Sequence, residues 1–231
     1  MTRGLTGGLT IALPKGRTLE GALVLLKKLG FDDPDLAEES RKLIVDFPER
    51  QVRFLLLRGS DIPTYVEYGA ADMGIVGKDI LLEQQKDIYE PLDLKFGFCR
   101  LVVAQPKDRQ HTDNALHWSN LKVATKFPRL TEEHFNRKGV QVEIIYLGGA
   151  VELAPLVGLC DVVVDLVQTG RTLRENGLIE VEEIVQSTAR LVVNRASQKT
   201  KYEPIMQLIQ QKRLSRQEAA EIRKLLTKYT K

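Results

Sequence analysis

The chain has 231 residues, of which 43% are hydrophobic and 28% are charged, proportions typical of globular proteins. The formal net charge of +3 is too weak to indicate a nucleic-acid-binding protein by itself. No apolar run approaches the ~20 residues that span a bilayer, and the start, MTRGLTGGLT, lacks the apolar core of a secretory signal.

The first hundred residues alternate between short β-branched apolar runs and segments of helical periodicity. Strands are predicted at 9–13, 54–57 and 71–77. After the first strand, apolar residues at helical spacing predict a helix that Gly30 closes. Those apolar residues are Leu19, Ala22, Leu23, Leu26 and Leu29. Ser60 and Pro63 mark the start of a second helix, which ends before Gly69.

The remaining elements continue the same alternation. Further strands are predicted at 101–105, 121–125, 142–147, 161–165 and 189–194. Strands that alternate with helices predict an α/β fold of two lobes, each with a mixed, largely parallel sheet and flanking helices. Breaks near Arg100 and Gln186 predict that residues 1–100 and 187–231 form one discontinuous lobe and residues 101–186 form the second.

The last twenty residues predict a helix with a basic face. Ser215 and Glu218 have the spacing of a capping box. The apolar residues that share one face are Ile222, Leu225, Leu226 and Tyr229. A solvated basic face on a packing helix is the favoured interpretation, and a nucleic-acid-binding arm is the alternative.

The cysteines and histidines give no sign of a metal centre. Cys99 and Cys160 are far apart in sequence and form no CxxC pair, which argues against a zinc site or disulfide framework and fits a reducing cytoplasm. The three histidines lie outside metal-ligand motifs and are interpreted as surface residues.

The stretch DVVVDLVQTGRT at 161–172 is the main candidate for a phosphate loop. Asp165 lies near the carboxyl end of a predicted buried strand, where ligands bind in open α/β sheets. Thr172 and Glu175 have capping-box spacing and predict a short helix, whose free N–H groups suit a phosphate.

Within that loop, Gly170 allows close approach of a ligand to the backbone. The hydroxyls of Thr169 and Thr172 add donors, Arg171 lies between them, and the Asp165 carboxylate can accept bonds from ribose hydroxyls. The alternative is a Thr-capped turn after a core strand, with the aspartate capping a neighbouring segment.

Other candidates follow predicted strands. Lys15 and Arg17 follow the first strand, Arg58 follows the second, and Lys126 follows the strand at 121–125. Each is a candidate contact for an anionic ligand because it lies where ligand crevices form. The alternative for each is a solvated surface charge.

A glycine pair and two carboxylates complete the candidates. Gly148 and Gly149 lie between a predicted strand and helix and permit close backbone approach of a ligand, and Glu152 is a candidate contact for the same ligand. An ordinary glycine turn, with Glu152 as a first-turn acid, is the alternative. Asp79 is predicted to cap the next helix.

Five segments together resemble the ATP phosphoribosyltransferase family. They are ALPKGRTLE, SRKLI, FLLLRGSDIPTYVEYGAADMGIVGKDIL, LGGAVELAPLVGLCDVVVDLVQTGRTLRENGL and ARLVVNRAS. The resemblance covers 9 to about 211 and matches the short, catalytic form of the family. Many phosphoribosyltransferases have two adjacent acidic residues before T-G-x-T, whereas here Leu166 follows Asp165.

The resemblance implies an enzyme of the first step of histidine biosynthesis. In that reaction N1 of the ATP adenine attacks C1′ of phosphoribosyl pyrophosphate (PRPP), which gives phosphoribosyl-ATP and pyrophosphate. It implies a fold like that of periplasmic binding proteins, with the active site in the cleft. It also implies catalytic roles for Arg41 and Arg58, PRPP contacts from the loop and the glycine pair, and contacts of Lys15, Arg17 and Lys126 with ATP or pyrophosphate.

The resemblance implies Mg²⁺ bound mainly through the substrates rather than by a protein cluster. It also implies a regulatory subunit related to histidyl-tRNA synthetase, in a hetero-octamer built on catalytic dimers, with no nucleic-acid or membrane partner. Three alternatives remain: a two-lobed solute-binding module, a purine or pyrimidine salvage phosphoribosyltransferase, and a nucleic-acid module that uses the basic C-terminal helix.

Overall fold

The computed structural model describes residues 8–37, 40–109 and 121–210. The described residues up to Gly97 and from Thr188 onward form one compact unit, and those from Phe98 to Ser187 form a second. The predicted C-terminal helix after Ser215 lies outside the described residues. Within the described part of the chain, no helix has the length and apolarity needed to cross a membrane.

The strands in chain order are β1 (Leu9–Pro14), β2 (Ile44–Phe47), β3 (Val52–Leu57), β4 (Met73–Gly77), β5 (Tyr89–Asp93), β6 (Cys99–Pro106), β7 (Leu121–Thr125), β8 (Val142–Tyr146), β9 (Val162–Val167), β10 (Leu178–Ser187) and β11 (Ala189–Val193). The α-helices are α1 (Arg17–Lys28), α2 (Ile62–Glu67), α3 (Lys78–Gln84), α4 (Pro128–Arg137), α5 (Arg171–Glu175), α6 (Arg195–Thr200) and α7 (Tyr202–Gln210).

The first unit contains a six-stranded sheet in the order β2-β3-β1-β4-β11-β5. Its central strands β3, β1 and β4 are parallel, whereas β2, β11 and β5 pair in antiparallel fashion. Alternate residues of β3 are buried, and Phe54 packs edge-to-face against Phe31 and Phe47 at centroid distances of 5.1 and 5.6 Å. Burial of these rings and of the aliphatic core stabilises the unit.

The second unit contains a five-stranded sheet in the order β10-β6-β9-β7-β8. Strands β9, β7 and β8 are parallel, and β10 and β6 are antiparallel to their neighbours. The first three residues of β9 are buried valines, because both faces of this central strand are covered. The expected architecture of two mixed sheets with flanking helices is therefore confirmed.

A buried carboxylate ties helix α6 to the first sheet. Asp72 is 4% exposed and accepts hydrogen bonds from the backbone N–H of Thr10 at 2.8 Å, from Ser197 Oγ at 2.6 Å and from Lys201 Nζ at 2.9 Å. The charge and the lone pairs of the buried group are thus compensated, as a folded interior requires.

Candidate functional site

In the second unit, the carboxyl ends of three parallel strands lie side by side. Thr125, the last residue of β7, pairs with Tyr146 of β8 and with Val164 of β9. The residues that follow these three positions therefore lie together at the carboxyl-terminal end of the strands. Those residues include Lys126, Gly148, Gly149 and Asp165.

Asp165 lies inside β9 rather than after it. It is half-buried and pairs with Val102 of β6, and it is the first residue of β9 beyond the pairing with β7. Asp165 thus lies at the carboxyl-terminal end of the parallel strands. A carboxylate at this end can accept hydrogen bonds from a sugar.

The loop after β9 needs glycine at one position. Gly170 is buried and has a φ of +71°, a conformation that other residues adopt at a cost. A Cβ atom there would lie 2.8 Å from Arg174 Nη1 and 2.8 Å from Glu180 Oε1. The next N–H, that of Arg171, donates only a long bond of 3.4 Å to Thr169 Oγ1.

Helix α5 begins two residues earlier than the capping-box spacing predicted. Its N-cap residue is Gly170, in a left-handed conformation and without a side-chain cap bond, so Thr172 lies inside the helix. Glu175 instead accepts a bond of 2.7 Å from Arg171 Nε. The prediction that Thr172 and Glu175 cap the helix is therefore wrong, because the left-handed glycine occupies the cap position.

The glycine pair after β8 differs from Gly170. Gly148 and Gly149 have no positive φ, and a Cβ atom on either would find no atom within 4 Å. The left-handed residue is Ala150, with a φ of 49°, and a 3₁₀ turn at Val151–Leu153 stands where a helix was predicted. Neither the backbone conformation nor a neighbouring described residue requires glycine at these two positions. The space beside the backbone is open and can hold a ligand.

In the first unit, candidate cations lie at the carboxyl-terminal ends of the neighbouring strands β1 and β3. Pro14 pairs with Leu57, and the N–H of Lys15 donates to the Leu57 carbonyl at 2.7 Å. Arg58 follows directly and is exposed. Arg17 is the first residue of α1, two residues after Lys15.

Arg41 reaches the same end of the sheet from the neighbouring strand. Strand β2 is antiparallel to β3, and Ile44 pairs with Leu55. The exposed Arg41, three residues before β2, therefore lies toward the end of the sheet where Arg58 follows β3.

The candidate cations differ from the structural ones in their partners. Among the described residues, none forms a side-chain hydrogen bond or ion pair with Lys15, Arg41, Arg58 or Lys126. Arg53 on β3, by contrast, bonds Asp46 through Nε at 2.6 Å, and this hydrogen bond raises the pKa of Arg53 and lowers that of Asp46. Cations without a carboxylate partner remain available to an anionic ligand.

Asp79 and Glu152 are the remaining acidic candidates. The N-cap of α3 is Gly77, without a side-chain cap bond, and Asp79 is a buried residue of the first turn whose carboxylate lies against Gly77. The prediction that Asp79 caps this helix is wrong. Glu152 is half-buried in the 3₁₀ turn after the glycine pair.

The described residues contain no group of three or more His, Cys, Asp or Glu side chains placed to hold a metal ion. Sequence reasoning also passed over Thr125, whose buried hydroxyl donates to the Val164 carbonyl at 2.8 Å. Threonine is common in strands, so the sequence does not single out Thr125. Its role becomes visible only in the structure, where its side chain bonds a residue 39 positions away.

Comparison with known proteins supports one family. Residues 58–214 match the family described as ATP phosphoribosyltransferase. The chain is 56% identical over 202 residues to an ATP phosphoribosyltransferase of Syntrophotalea carbinolica, covering 87% of this chain and 92% of that protein. It is 59% identical over 200 residues to the ATP phosphoribosyltransferase of Caldanaerobacter subterraneus, covering 87% and 93%.

Solved structures give the same result. The ATP phosphoribosyl transferase (HisG:HisZ) complex from Thermotoga maritima matches with a TM-score of 0.75 and 33% identity over 95% of this chain and 99% of that chain. The periplasmic aliphatic sulphonate binding protein SsuA from Escherichia coli matches with a TM-score of 0.57 and 14% identity over 96% and 78%. The second match supports the predicted likeness to periplasmic binding proteins in fold alone. The family match and the identities show that the chain belongs to the ATP phosphoribosyltransferase family.

Proposed function

We propose that the candidate residues at the carboxyl-terminal strand ends of each unit carry out the family reaction, the first step of histidine biosynthesis. N1 of the ATP adenine attacks C1′ of PRPP, the N1–C1′ bond forms, and the bond from C1′ to pyrophosphate breaks with its electron pair on the departing oxygen. The observation that most supports this assignment is the alignment of the β7, β8 and β9 ends, which gathers Lys126, the glycine pair and Asp165 at one edge.

The loop at 169–172 binds the 5′-phosphate of PRPP in this proposal. Thr169 and Thr172 are exposed and supply hydroxyl donors. Arg171 contributes its N–H, because its long 3.4 Å bond to Thr169 is readily exchanged for a phosphate oxygen, while Glu175 holds its guanidinium. Gly170 provides the tight backbone turn.

The ribose and the pyrophosphate occupy the neighbouring strand ends. Asp165 accepts hydrogen bonds from the ribose hydroxyls, and Glu152 lies close to the ribose or the pyrophosphate. Gly148 and Gly149 let the backbone approach the ligand, since the space beside them is open.

Catalysis rests on positioning and on cations, because the attacking nitrogen is neutral and the leaving group is highly charged. Arg41 and Arg58 stabilise the charge that develops on the departing pyrophosphate. Lys15, Arg17 and Lys126 contact ATP or the pyrophosphate. The backbone of Lys15, Arg58 and Lys126 is held directly after a strand, which limits the reorganisation that these positions need when charge develops.

Mg²⁺ is the proposed metal ion. We propose that the ion is held mainly by substrate oxygens and by few protein carboxylates, as is usual for Mg²⁺. Asp165 and Glu152 are the carboxylates proposed to contribute, from the strand ends of the second unit. The ion supplies charge neutralisation for the pyrophosphate.

The proposed assembly follows from the Thermotoga maritima relative, which is a complex with HisZ. We propose a regulatory subunit related to histidyl-tRNA synthetase, in a hetero-octamer built on catalytic dimers. The small-molecule partners are ATP and PRPP, with no nucleic acid and no membrane, and the biosynthetic role favours a cytoplasmic location.

The reaction is tested by incubating the full chain, with its regulatory subunit, with PRPP, Mg²⁺ and either ATP or free adenine. We expect phosphoribosyl-ATP and one equivalent of pyrophosphate with ATP, and no product with adenine. Product with adenine alone would indicate a salvage enzyme. Tight PRPP binding without pyrophosphate release would indicate a solute-binding module.

The loop is tested in the same assay with Thr169→Val, which removes one donor to the phosphate. We expect the KM for PRPP to rise about tenfold. Thr200→Val is the matched control, because the exposed Thr200 hydroxyl bonds only the Ala196 carbonyl at 3.0 Å. An unchanged KM in Thr169→Val would remove the loop from the site.

A further inference from the structure

Thr125 stands between the three strand ends of the second unit. Its side chain is fully buried. Its hydroxyl donates to the Val164 carbonyl at 2.8 Å and accepts from the Phe127 N–H at 2.9 Å. Its own carbonyl accepts from the Leu147 N–H at 3.0 Å.

Each of these three partners adjoins a residue proposed to contact substrate. Leu147 precedes Gly148, Val164 precedes Asp165, and Phe127 follows Lys126. One buried residue is therefore bonded next to every strand-end segment of the proposed PRPP site.

We propose that Thr125 is a positioning residue that fixes the spacing of these segments for PRPP, an inference that rests on the proposed function. The pairing of β7 with β9 ends at Thr125 and Val164, so the hydroxyl is the last link between the two strands before Asp165. Without it, the Val164 carbonyl and the Phe127 N–H both lose a partner inside the protein, where water does not replace it. Small displacements of binding groups then reduce affinity strongly.

Thr131 provides a matched control. It is as buried as Thr125, but its hydroxyl donates within α4 to the Phe127 carbonyl at 2.7 Å. It also donates to Thr125 Oγ1 in a long bond of 3.4 Å, but it bonds no residue of β8 or β9. Removal of either hydroxyl costs stability, whereas of the two only the Thr125 hydroxyl bonds a residue of β9.

The experiment measures the Kd of the full chain for PRPP by calorimetry in Mg²⁺, together with the thermal midpoint. We expect Thr125→Val to raise the Kd about tenfold and Thr125→Ser to restore it to within about threefold. Thr131→Val should leave the Kd within about twofold, because the Thr131 hydroxyl bonds no residue of β8 or β9. In steady state with the regulatory subunit, the KM for PRPP should rise in Thr125→Val while the KM for ATP stays within about twofold.

Three results overturn the inference: an unchanged Kd in Thr125→Val, an equal loss in Thr131→Val, or failure of Thr125→Ser to restore binding. If Thr125→Val does not fold, Thr125→Cys replaces it, because a thiol is a weak donor of similar size, and a Kd equal to that of the wild type overturns the inference. A wild-type chain that makes phosphoribosyl-ATP while the Thr125 variants bind normally refutes this inference alone. A wild-type chain that neither binds PRPP nor reacts refutes the proposed function.

Discussion

Two arginines, one within β3 and one directly after it, show how the environment of a side chain distinguishes a structural cation from a catalytic candidate. Arg53 lies in β3 and Arg58 follows its last residue. Arg53 is held by both oxygens of Asp46, at 2.6 and 3.0 Å. Arg58 is exposed at the strand end, and no described residue forms a side-chain bond with it. The first is committed to the fold, and the second is available to a ligand.

Replacement of Arg58 by alanine should therefore affect the rate and spare the fold. We expect Arg58→Ala to lower kcat about 10²-fold, as for loss of one donor to a developing anion, with the free energy of unfolding changed by less than about 0.5 kcal/mol. Steady-state pyrophosphate release and urea unfolding measure the two quantities.

Arg53→Ala is the control and should behave in the opposite way. It should retain its turnover and lose up to about 1 kcal/mol of stability, because its partner Asp46 is partly exposed. An Arg58→Ala protein that loses stability but keeps its rate would make Arg58 a structural residue.

The position of a single residue could be predicted from the sequence where that residue directly follows a strand. Lys15, Arg58 and Lys126 could be located in this way, because the apolar runs before them are easily recognised. Prediction failed at Thr172 and Asp79, because a glycine took the cap position in each case. The bond from Thr125 to Val164 joins residues far apart in sequence, so no local pattern predicts it.

The strands missed by sequence reasoning share a position, since all three lie at sheet edges. Strands β2 and β5 border the first sheet, and β10 borders the second. Strand β10 carries four acidic or amide side chains, and β5 contains Pro91. Polar residues and proline protect an edge from further pairing, and they also disguise the strand in the sequence. Central strands such as β9, which are apolar on both faces, carry the clear signal.

The two kinds of glycine in the second unit should respond differently to alanine. We expect Gly148→Ala and Gly149→Ala to fold with unchanged or slightly higher stability, by up to about 1 kcal/mol, because neither has a positive φ or a neighbour for the new methyl group. The Kd for PRPP, measured by calorimetry, should rise because the methyl group occupies the space proposed for the ligand.

Gly170→Ala is the comparison. Its positive φ and the adjacent Arg174 and Glu180 side chains should cost about 1–2 kcal/mol in the free energy of unfolding. If Gly148→Ala and Gly149→Ala both bind PRPP as the wild type does, the glycine pair lies away from the ligand.

At the scale of the whole molecule, the chain passes between its two units twice, and the neighbouring residues are bonded together. The residue after β10, Thr188, donates from Oγ1 to Asp93 at 2.8 Å. The N–H groups of Leu94 and Ala189 donate to the carbonyls of Ala189 and Phe96 at 2.9 Å. The order of elements in the sequence predicted a two-lobed fold, whereas these hydrogen bonds, one between side chains and two between backbone groups, depend on the folded path of the chain.

Asp93 should make the stability of the first unit sensitive to acid. Partial burial favours a raised pKa, but hydrogen bonds from Lys95 and Thr188 and the charge of Arg190 outweigh it and lower the pKa from 3.8 to about 2. A lowered pKa means that the stabilisation is complete above about pH 4 and is lost as the pH falls through 2. We expect Asp93→Asn to be less stable than the wild type by about 2 kcal/mol at pH 6 and by less than about 0.5 kcal/mol at pH 2.

Urea unfolding of the two proteins across this pH range measures the difference. Asp32→Asn serves as the control, because the pair of Lys27 and Asp32 is exposed on both sides and contributes little. A gap between the wild type and Asp93→Asn that stays constant down to pH 2 would show that the carboxylate charge is not the source of the stability.

Cys99 and Ser187 are paired residues on antiparallel strands, so the segment they enclose starts and finishes ~5 Å apart. The first sheet therefore receives the chain back next to the point where the chain left it, and its strand order does not depend on the length of the segment between. Close chain ends of this kind are what makes the insertion of one domain into another tolerable for the host sheet.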